Sequence, residues 1–81
     1  MILSANTPIN SGYTGTQRPI IQNLGPGIVY IGPTSTDLTT EGLKLPVNAV
    51  YEYPAIVQDG AGAVWVVADT NSTDVRIINV G

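Results

Sequence analysis

The chain has 81 residues and contains neither cysteine nor histidine, so it is one small domain without disulfides or the commonest zinc and copper ligands. Its net charge of −3, with three scattered basic residues and no apolar run of about 20 residues, argues against nucleic acid and membranes as partners. Because 43% of the residues are hydrophobic and only 11% are charged, we expect an ordered domain whose surface is largely covered by partner subunits. A monomer with a surface of Thr, Asn and Ser is the alternative.

Residues 1–16 predict an extended N-terminal arm outside the core. They are rich in Ser, Asn, Thr and Gly, and they show no sustained hydrophobic period. Their large apolar side chains are few and form no sustained apolar run (Ile2, Leu3, Ile9 and Tyr13). Such an arm either frays or becomes ordered by adding a strand to a partner. We therefore expect a form lacking residues 1–13 to fold but to lose part of its partner binding.

Residues 17–81 predict a single β-domain. Short apolar runs alternate with turn signals rich in Gly and Pro, and no window has apolar residues at helical spacing over three turns. The runs predict strands at 17–23, 28–31, 43–45, 47–53, 55–58, 63–68 and 75–80. The predicted fold class is therefore all-β, a small antiparallel β-sandwich or β-barrel with an extended N-terminal arm.

Turn residues separate these predicted strands. The Gly-Pro-Gly turn at 25–27 leads into the second strand, because proline fixes its own φ and glycine tolerates a positive φ. Pro19 has no N–H to donate, which predicts that the first strand lies near a sheet edge. The polar stretch 34–42 predicts a loop, with one short strand around Leu38 as an option. The stretch 59–62, Asp-Gly-Ala-Gly, predicts a hairpin turn.

The last two predicted strands, 63–68 and 75–80, are expected to pair as a closing hairpin joined by the polar stretch 69–74. Alternate residues of a strand face opposite sides, and both sides of these two strands are largely apolar. Trp65 is either a core residue or an interface anchor, and the core is favoured because a chain without Phe needs its one indole for packing. The amphipathic tyrosines at positions 30, 51 and 53 suit the rim of that core.

No set of residues indicates catalysis, so we predict that the protein is not an enzyme and uses no cofactor or metal. Without histidine, the usual general base and the serine and cysteine triads are excluded. The stretch 69–74 places oxygen ligands at alternate positions, as a calcium loop does. Counted from Asp69, the sixth residue is Asp74 and the twelfth is Val80, whereas a calcium loop needs Gly at the sixth position and Glu at the twelfth. We therefore interpret the stretch as a polar loop. The acidic residues stand mostly in turn signals, which predicts turn or surface roles (Asp37, Glu41, Glu52, Asp59, Asp69 and Asp74).

Residues 22–80 contain a distinctive series of turns and strands. The segment Asn-Leu-Gly-Pro-Gly-Ile-Val-Tyr-Ile-Gly at 23–32 is followed by a Thr-rich loop, by Glu-Gly-Leu-Lys-Leu-Pro at 41–46 and by the two strands at the end of the chain. This series resembles small virion proteins of tailed bacteriophages, of the head-decoration or capsid-cement type. These are patterns of turns and strands, and they include no catalytic motif.

The resemblance implies a compact β-sandwich or barrel, trimeric, that binds where major capsid subunits meet and stabilises the shell. It also implies an N-terminal arm that becomes ordered on the capsid. Residues 1–16 carry no motif of the family, so their assignment as capsid contacts comes from their apolar or extended chemistry (Ile2, Leu3, Pro8, Ile9 and Tyr13). The chain start has no signal-peptide pattern, so we expect synthesis in the host bacterial cytoplasm and a final location on the outer capsid surface of the virion.

Two other classes of function stay open. The same β-pattern also suits a receptor- or glycan-binding module of a phage tail or fibre, in which Trp65 and the tyrosines would be stacking platforms exposed on one face. An enzyme would require two or three carboxylates gathered around one pocket.

Overall fold

The computed structural model describes residues 1–14, 18–52 and 63–79. These residues form two antiparallel four-stranded sheets that pack together, with one short helix. In chain order the elements are β1 (Ile2–Leu3), β2 (Ile9–Thr14), β3 (Pro19–Gly25), β4 (Val29–Gly32), α1 (Leu38–Glu41), β5 (Leu43–Leu45), β6 (Val50–Glu52), β7 (Ala63–Ala68) and β8 (Thr73–Asn79). The all-β sandwich predicted from the sequence is confirmed.

The chain alternates between the two sheets. Sheet A has the strand order β1-β8-β3-β6 and sheet B the order β2-β7-β4-β5, so only β4 and β5 are consecutive strands of one sheet. The predicted closing hairpin is therefore wrong, because β7 pairs with β2 and β4 whereas β8 pairs with β1 and β3. The apolar residues of β7 and β8 face each other across the core, and the connection at 69–72 spans the roughly 10 Å between two packed sheets.

The core lies between the sheets and consists of alternate residues from each strand. Sheet A contributes Leu3, Ile21 and Val75, and sheet B contributes Val29, Ile31, Leu45, Val64, Val66 and Ala68, all of them buried. Tyr51, Ile77, Ile9 and Ala49 pack against this cluster from its margins. A core made almost entirely of β-branched and aliphatic residues is what a thin two-layer fold can enclose.

The N-terminal residues belong to the sandwich, so the prediction of an arm outside the core is wrong for residues 1–14. β1 pairs with β8, with Leu3 opposite Thr73, and the Leu3 side chain is fully buried in the core. β2 pairs with β7, with Ile9 opposite Val66. An apolar run as short as the one at the chain start shows no period, yet Leu3 is buried because the sheets supply its neighbours.

Two other local predictions fail for identifiable reasons. Pro19 does not mark an edge, because β3 lies between β8 and β6; it is the first residue of the strand, where a missing N–H is tolerated. Leu38 begins a one-turn helix instead of a strand, and it is buried against the outside of sheet B. Gly32 makes room for it, since a Cβ atom there would lie 2.6 Å from Leu38 Cδ2.

The remaining strand predictions are met in part. β4, β5 and β7 match the predictions within one residue, and the predicted strand at 47–53 is reduced to β6 at Val50–Glu52. The predicted strand at 55–58 and the hairpin turn at 59–62 lie outside the described residues.

The side chain of Asn23 ties three segments of the chain together inside the sandwich. Its Nδ2 donates hydrogen bonds of 2.9 Å each to the carbonyl oxygens of Gly27 and Leu45, and its Oδ1 accepts one of 2.8 Å from the N–H of Gly25. The Asn23 backbone also bonds to Ala49 and Asn48. With 0% exposure, this amide joins β3 of sheet A, the turn at 25–28 and β5 of sheet B.

The turn at 25–28 is held from its other side by the connection between β7 and β8. Thr73 Oγ1 accepts a hydrogen bond of 3.2 Å from the N–H of Gly27, and Asp69 Oδ1 accepts one of 2.9 Å from the N–H of Ile28. Gly25 has a φ of +85°, and the peptide bond that follows it, to Pro26, is cis. The Gly-Pro-Gly segment is thus a structural corner between the sheets.

Leu3→Ala is expected to lower the free energy of unfolding by about 3 kcal/mol, because it removes a fully buried side chain and leaves a cavity. Ile2→Ala is the matched control on the same strand: Ile2 is 63% exposed, and the change should stay within about 0.5 kcal/mol. Urea unfolding measures both. Equal, small effects would mean that β1 is not packed as described.

Asn23→Ala is expected to lower the free energy of unfolding by about 3 kcal/mol or more, because it leaves two carbonyls and one N–H buried without a partner. Asn79→Ala changes an exposed asparagine on the same sheet and should cost less than about 0.5 kcal/mol. Thermal or urea unfolding gives the comparison. If Asn23→Ala lowers the free energy of unfolding no more than Asn79→Ala does, the central role of this amide is contradicted.

Candidate interaction surface

Two carboxylates line one cavity, and two is the smallest number that the enzyme hypothesis requires. Asp37 and Glu41 lie at either end of α1, beside a cavity of about 410 Å³ that also borders Gly32 and Gly42. Both side chains are exposed, and neither forms a hydrogen bond or ion pair within the described residues. Catalytic carboxylates are set in their roles by burial or by close charged partners. Among the described residues, the two carboxylates of this cavity are exposed and have no charged partner.

The oxygen atoms of the stretch 69–74 are used by the protein itself. Asp69 Oδ1 accepts hydrogen bonds from the N–H of Ile28 and the hydroxyl of Thr70, both at 2.9 Å. Asp74 Oδ2 lies 3.3 Å from the Arg76 guanidinium, on strand β8. No group of three or more acidic side chains that could hold a metal occurs in the described part of the chain. The geometry agrees with the interpretation of this stretch as a polar connection.

Trp65 is not a core residue, so the favoured sequence interpretation is wrong. Val64 and Val66 on either side of it point into the sandwich, which leaves the indole half-buried on the outside of sheet B. Tyr30 is also half-buried on that outer side, since its neighbours Val29 and Ile31 face the core. Aliphatic residues fill the core instead, and the alternation of β7 places the indole on the opposite side of the strand from Val64 and Val66.

Helix α1 partly covers the outside of sheet B. Leu38 is 4% exposed and lies over Gly32 and beside Val67, both of which lie on the outer side of the sheet. Val67 is consequently only 2% exposed although it faces away from the core. Sheet B is thus buried on its inner side and partly protected on its outer side.

No described residue outside sheet A covers its outer side as α1 covers that of sheet B, and large apolar side chains are exposed there. We call the outer side of sheet A the A face, and it consists of the outward residues of β1, β8, β3 and β6: Ile2, Asp74, Arg76, Ile78, Ile20, Gln22, Leu24, Val50 and Glu52. The exposed fractions are 63% for Ile2, 59% for Ile78, 56% for Val50 and 37% for Leu24. Four of the seven large hydrophobic residues that the described chain exposes therefore lie on one sheet face.

Strand register orders the centre of the A face into two rows. Ile20 lies between Glu52 on β6 and Ile78 on β8, and Gln22 lies between Val50 and Arg76. A shallow cavity of about 240 Å³ is bordered by Ile20, Gln22, Val50, Arg76 and Ile78. The face is therefore an apolar patch with three charged side chains: Asp74 and Arg76 form an ion pair on β8, and Glu52 lies on β6 across the central strand.

The residues predicted as capsid contacts do not form one surface. Ile2 lies at the margin of the A face, and Pro8 is exposed next to α1 on the other side of the molecule. Ile9 packs against the core, Tyr13 is half-buried in β2, and Leu3 is fully buried. A partner could contact Leu3 only if β1 left its sheet.

Sequence reasoning missed the residues at the centre of the A face. The sequence of β8 indicated them in part, because the residues on both sides of that strand are largely apolar. The sequence did not indicate which strands pair with each other. Ile20 and Ile78 are 58 positions apart, and only the sheet makes them neighbours.

Addition of about 10 mM Ca²⁺ is expected to leave the melting temperature unchanged, because Asp69 is already occupied by internal donors. Asp69→Ala should lower the free energy of unfolding by about 1–2 kcal/mol, since the N–H of Ile28 loses its acceptor. Differential scanning fluorimetry with and without calcium checks both statements. A calcium-dependent rise that Asp69→Ala abolishes would show a cation site instead.

No helix of the described residues is long and apolar enough to cross a membrane. Comparison with protein-family models, with curated proteins and with solved structures finds no match.

Proposed function

We propose that this protein is a structural virion protein that decorates a phage capsid, binding as a trimer at junctions between major capsid subunits. One observation carries the proposal: a folded sandwich with few charges exposes a cluster of large apolar side chains on one sheet face. Exposed apolar patches rimmed by polar residues mark interaction sites, protein interfaces among them. The protein would be made in the host cytoplasm and used on the outside of the virion.

The two-sheet architecture supports the proposal because it is the fold that the sequence resemblance implies. Ile2 and Pro8 are the predicted capsid contacts that the fold leaves exposed, on opposite sides of the molecule. They are thus the members of the predicted set that a capsid subunit can reach without opening the sandwich.

The mechanism is mechanical. A pressurised shell fails first along the junctions of its subunits, and a protein that spans a junction adds interface area to each subunit that it touches. A standard interface buries about 1,600 Å² in total, and a trimer multiplies one modest contact through avidity. This role needs shape and apolar area, and it needs no catalytic group.

A glycan- or receptor-binding module of a tail or fibre is the second candidate. It is favoured by the placement of Trp65 and Tyr30, both half-buried on the outer side of sheet B. Trp65 lies opposite Gly32 and Tyr30 opposite Val67 on the paired strands β4 and β7, so their rings belong to one face. Aromatic rings on one face can stack against the apolar side of a sugar.

The proposed function predicts that the purified protein binds empty mature capsids of tailed phages and raises their melting temperature. The test incubates the full chain with a panel of such capsids and measures bound copies by sedimentation and mass. Saturation at a multiple of three copies per lattice site supports decoration by trimers. Trp65→Ala is the control variant. It removes the indole on the side of the molecule opposite the A face, and it should bind capsids normally.

Two outcomes would overturn this proposal. One is absence of binding to every capsid in the panel. The other is binding to a glycan array that Trp65→Ala abolishes, which would establish the second candidate.

A further inference from the structure

We infer that residues 33–41, which include α1, form a flap that lifts from sheet B as a unit while the sandwich stays folded. The latch of this flap is the side chain of Leu38. Lifting it uncovers the outer side of sheet B between Trp65 and Tyr30. The opening itself is a property of this chain and is independent of the proposed function, whereas its effect on a ligand rests on the second candidate function.

One buried side chain attaches the flap to the rest of the described molecule. Leu38 is 4% exposed, whereas every other residue of the flap is exposed. Leu38 lies over Gly32 and beside Val67, on the outer side of sheet B. Segments with few buried apolar contacts open at a lower free energy than the core of a protein. Withdrawal of Leu38 is therefore the event that releases the segment.

No hydrogen bond joins the flap to either sheet within the described residues. The backbone N–H groups of residues 40–42 donate to the carbonyls of Asp37 and Leu38. The hydroxyl groups of Thr34 and Thr40 also form their bonds inside the segment. Asp37 begins the helix with a φ of +56° and provides no side-chain cap. The flap can thus leave sheet B without breaking a hydrogen bond to it.

Two cavities border the flap, and Leu38 lines both of them. One, of about 410 Å³, also borders Gly32 and Gly42, and the other, of about 220 Å³, borders Pro8 and Val67. The packing of the flap on sheet B is therefore incomplete around its latch. Glycines stand immediately before and after the segment, where hinge movements need a few residues at the ends of elements to change conformation.

Opening the flap connects two aromatic side chains that Leu38 separates. On the paired strands β4 and β7, Trp65 is level with Gly32, and Tyr30 is level with Val67. Gly32 and Val67 form the other diagonal of this square, and they are the residues that Leu38 covers. With Leu38 withdrawn, Val67 and the two rings form one continuous apolar surface. Stacking of a sugar on both rings requires that surface.

Amide hydrogen exchange of the wild-type protein, followed by NMR, tests the flap directly. The N–H groups of Glu41 and Gly42 are hydrogen-bonded within α1 and at its end, and that of Asn23 is bonded to Ala49. A single helical turn is unstable without packing, so both α1 amides exchange whenever the flap lifts. We expect them to be equally protected and to exchange at least about 100-fold faster than the amide of Asn23.

Two results of this measurement would overturn the inference. Equal protection of all three amides would mean that the segment opens only when the sandwich unfolds. Unequal protection of the amides at 41 and 42 would mean that α1 frays residue by residue and does not lift as a unit.

Substitutions at the latch should shift the opening equilibrium. A Cβ atom at position 32 would lie 2.6 Å from Leu38 Cδ2, so Gly32→Ala should displace Leu38 and speed exchange at 41 and 42 by about tenfold. Leu38→Ala should act in the same direction because it removes the anchor. The double variant should exchange more slowly than the product of the single effects, since the smaller side chain leaves room for the new methyl group. Thr39→Ala changes an exposed residue of α1 and should alter exchange by less than about twofold.

The variants identify the latch and its range. If Leu38→Ala leaves exchange at 41 and 42 unchanged, Leu38 is not the latch and the inference is overturned. If Gly32→Ala speeds exchange at Asn23 as much as at 41 and 42, the substitution destabilises the whole sandwich, and a separate flap is contradicted.

A glycan array separates the flap from the second candidate function. Leu38→Ala should bind any sugar that the wild type recognises more tightly, because the open surface is populated more often. Equal affinity of the two proteins would overturn the link between the flap and the aromatic surface. Fast exchange at 41 and 42 without binding of any sugar by either protein would leave the flap standing and overturn the second candidate alone.

Discussion

The buried amide of Asn23 is the constraint on which the sandwich depends. One side chain satisfies two carbonyls and one N–H at the corner where the chain leaves sheet A for sheet B. An amide suits this position because it donates and accepts at once, and no aliphatic residue could satisfy backbone groups that are buried away from water. Thr73 and Asp69 bind the next residues of the same corner, so the β7–β8 connection and the β3–β4 turn are fixed to each other.

The alternation of strands between sheets explains why the surfaces differ. Consecutive strands lie in opposite layers except for β4 and β5, and α1 lies in the connection between those two. The helix can therefore pack back over sheet B, the sheet from which it starts. None of the described connections between the layers contains a helix that packs over sheet A. The apolar side chains of the A face therefore stay exposed among the described residues.

Local patterns in the sequence predicted the fold class and several strands. Apolar runs bounded by Gly and Pro located β4, β5 and β7, because both signals act within a few residues. Leu3 was misplaced because the short apolar start of the chain is followed by a polar stretch and shows no period, and its burial depends on Val75 and the rest of the core. Leu38 was misplaced because a single helical turn is too short to show a period. Trp65 was assigned to the core by size, but the sandwich is closed by smaller aliphatic side chains.

The sequence by itself determined that the chain is a single all-β domain with few charges, because composition and turn residues act locally. Only the tertiary structure decided which strands are neighbours, since pairing joins residues such as Ile20 and Ile78 that are far apart in the chain. That pairing also decided which side of each strand meets solvent. The A face exists because four strands from separate parts of the sequence turn their apolar side chains outward together, and no local pattern records that arrangement.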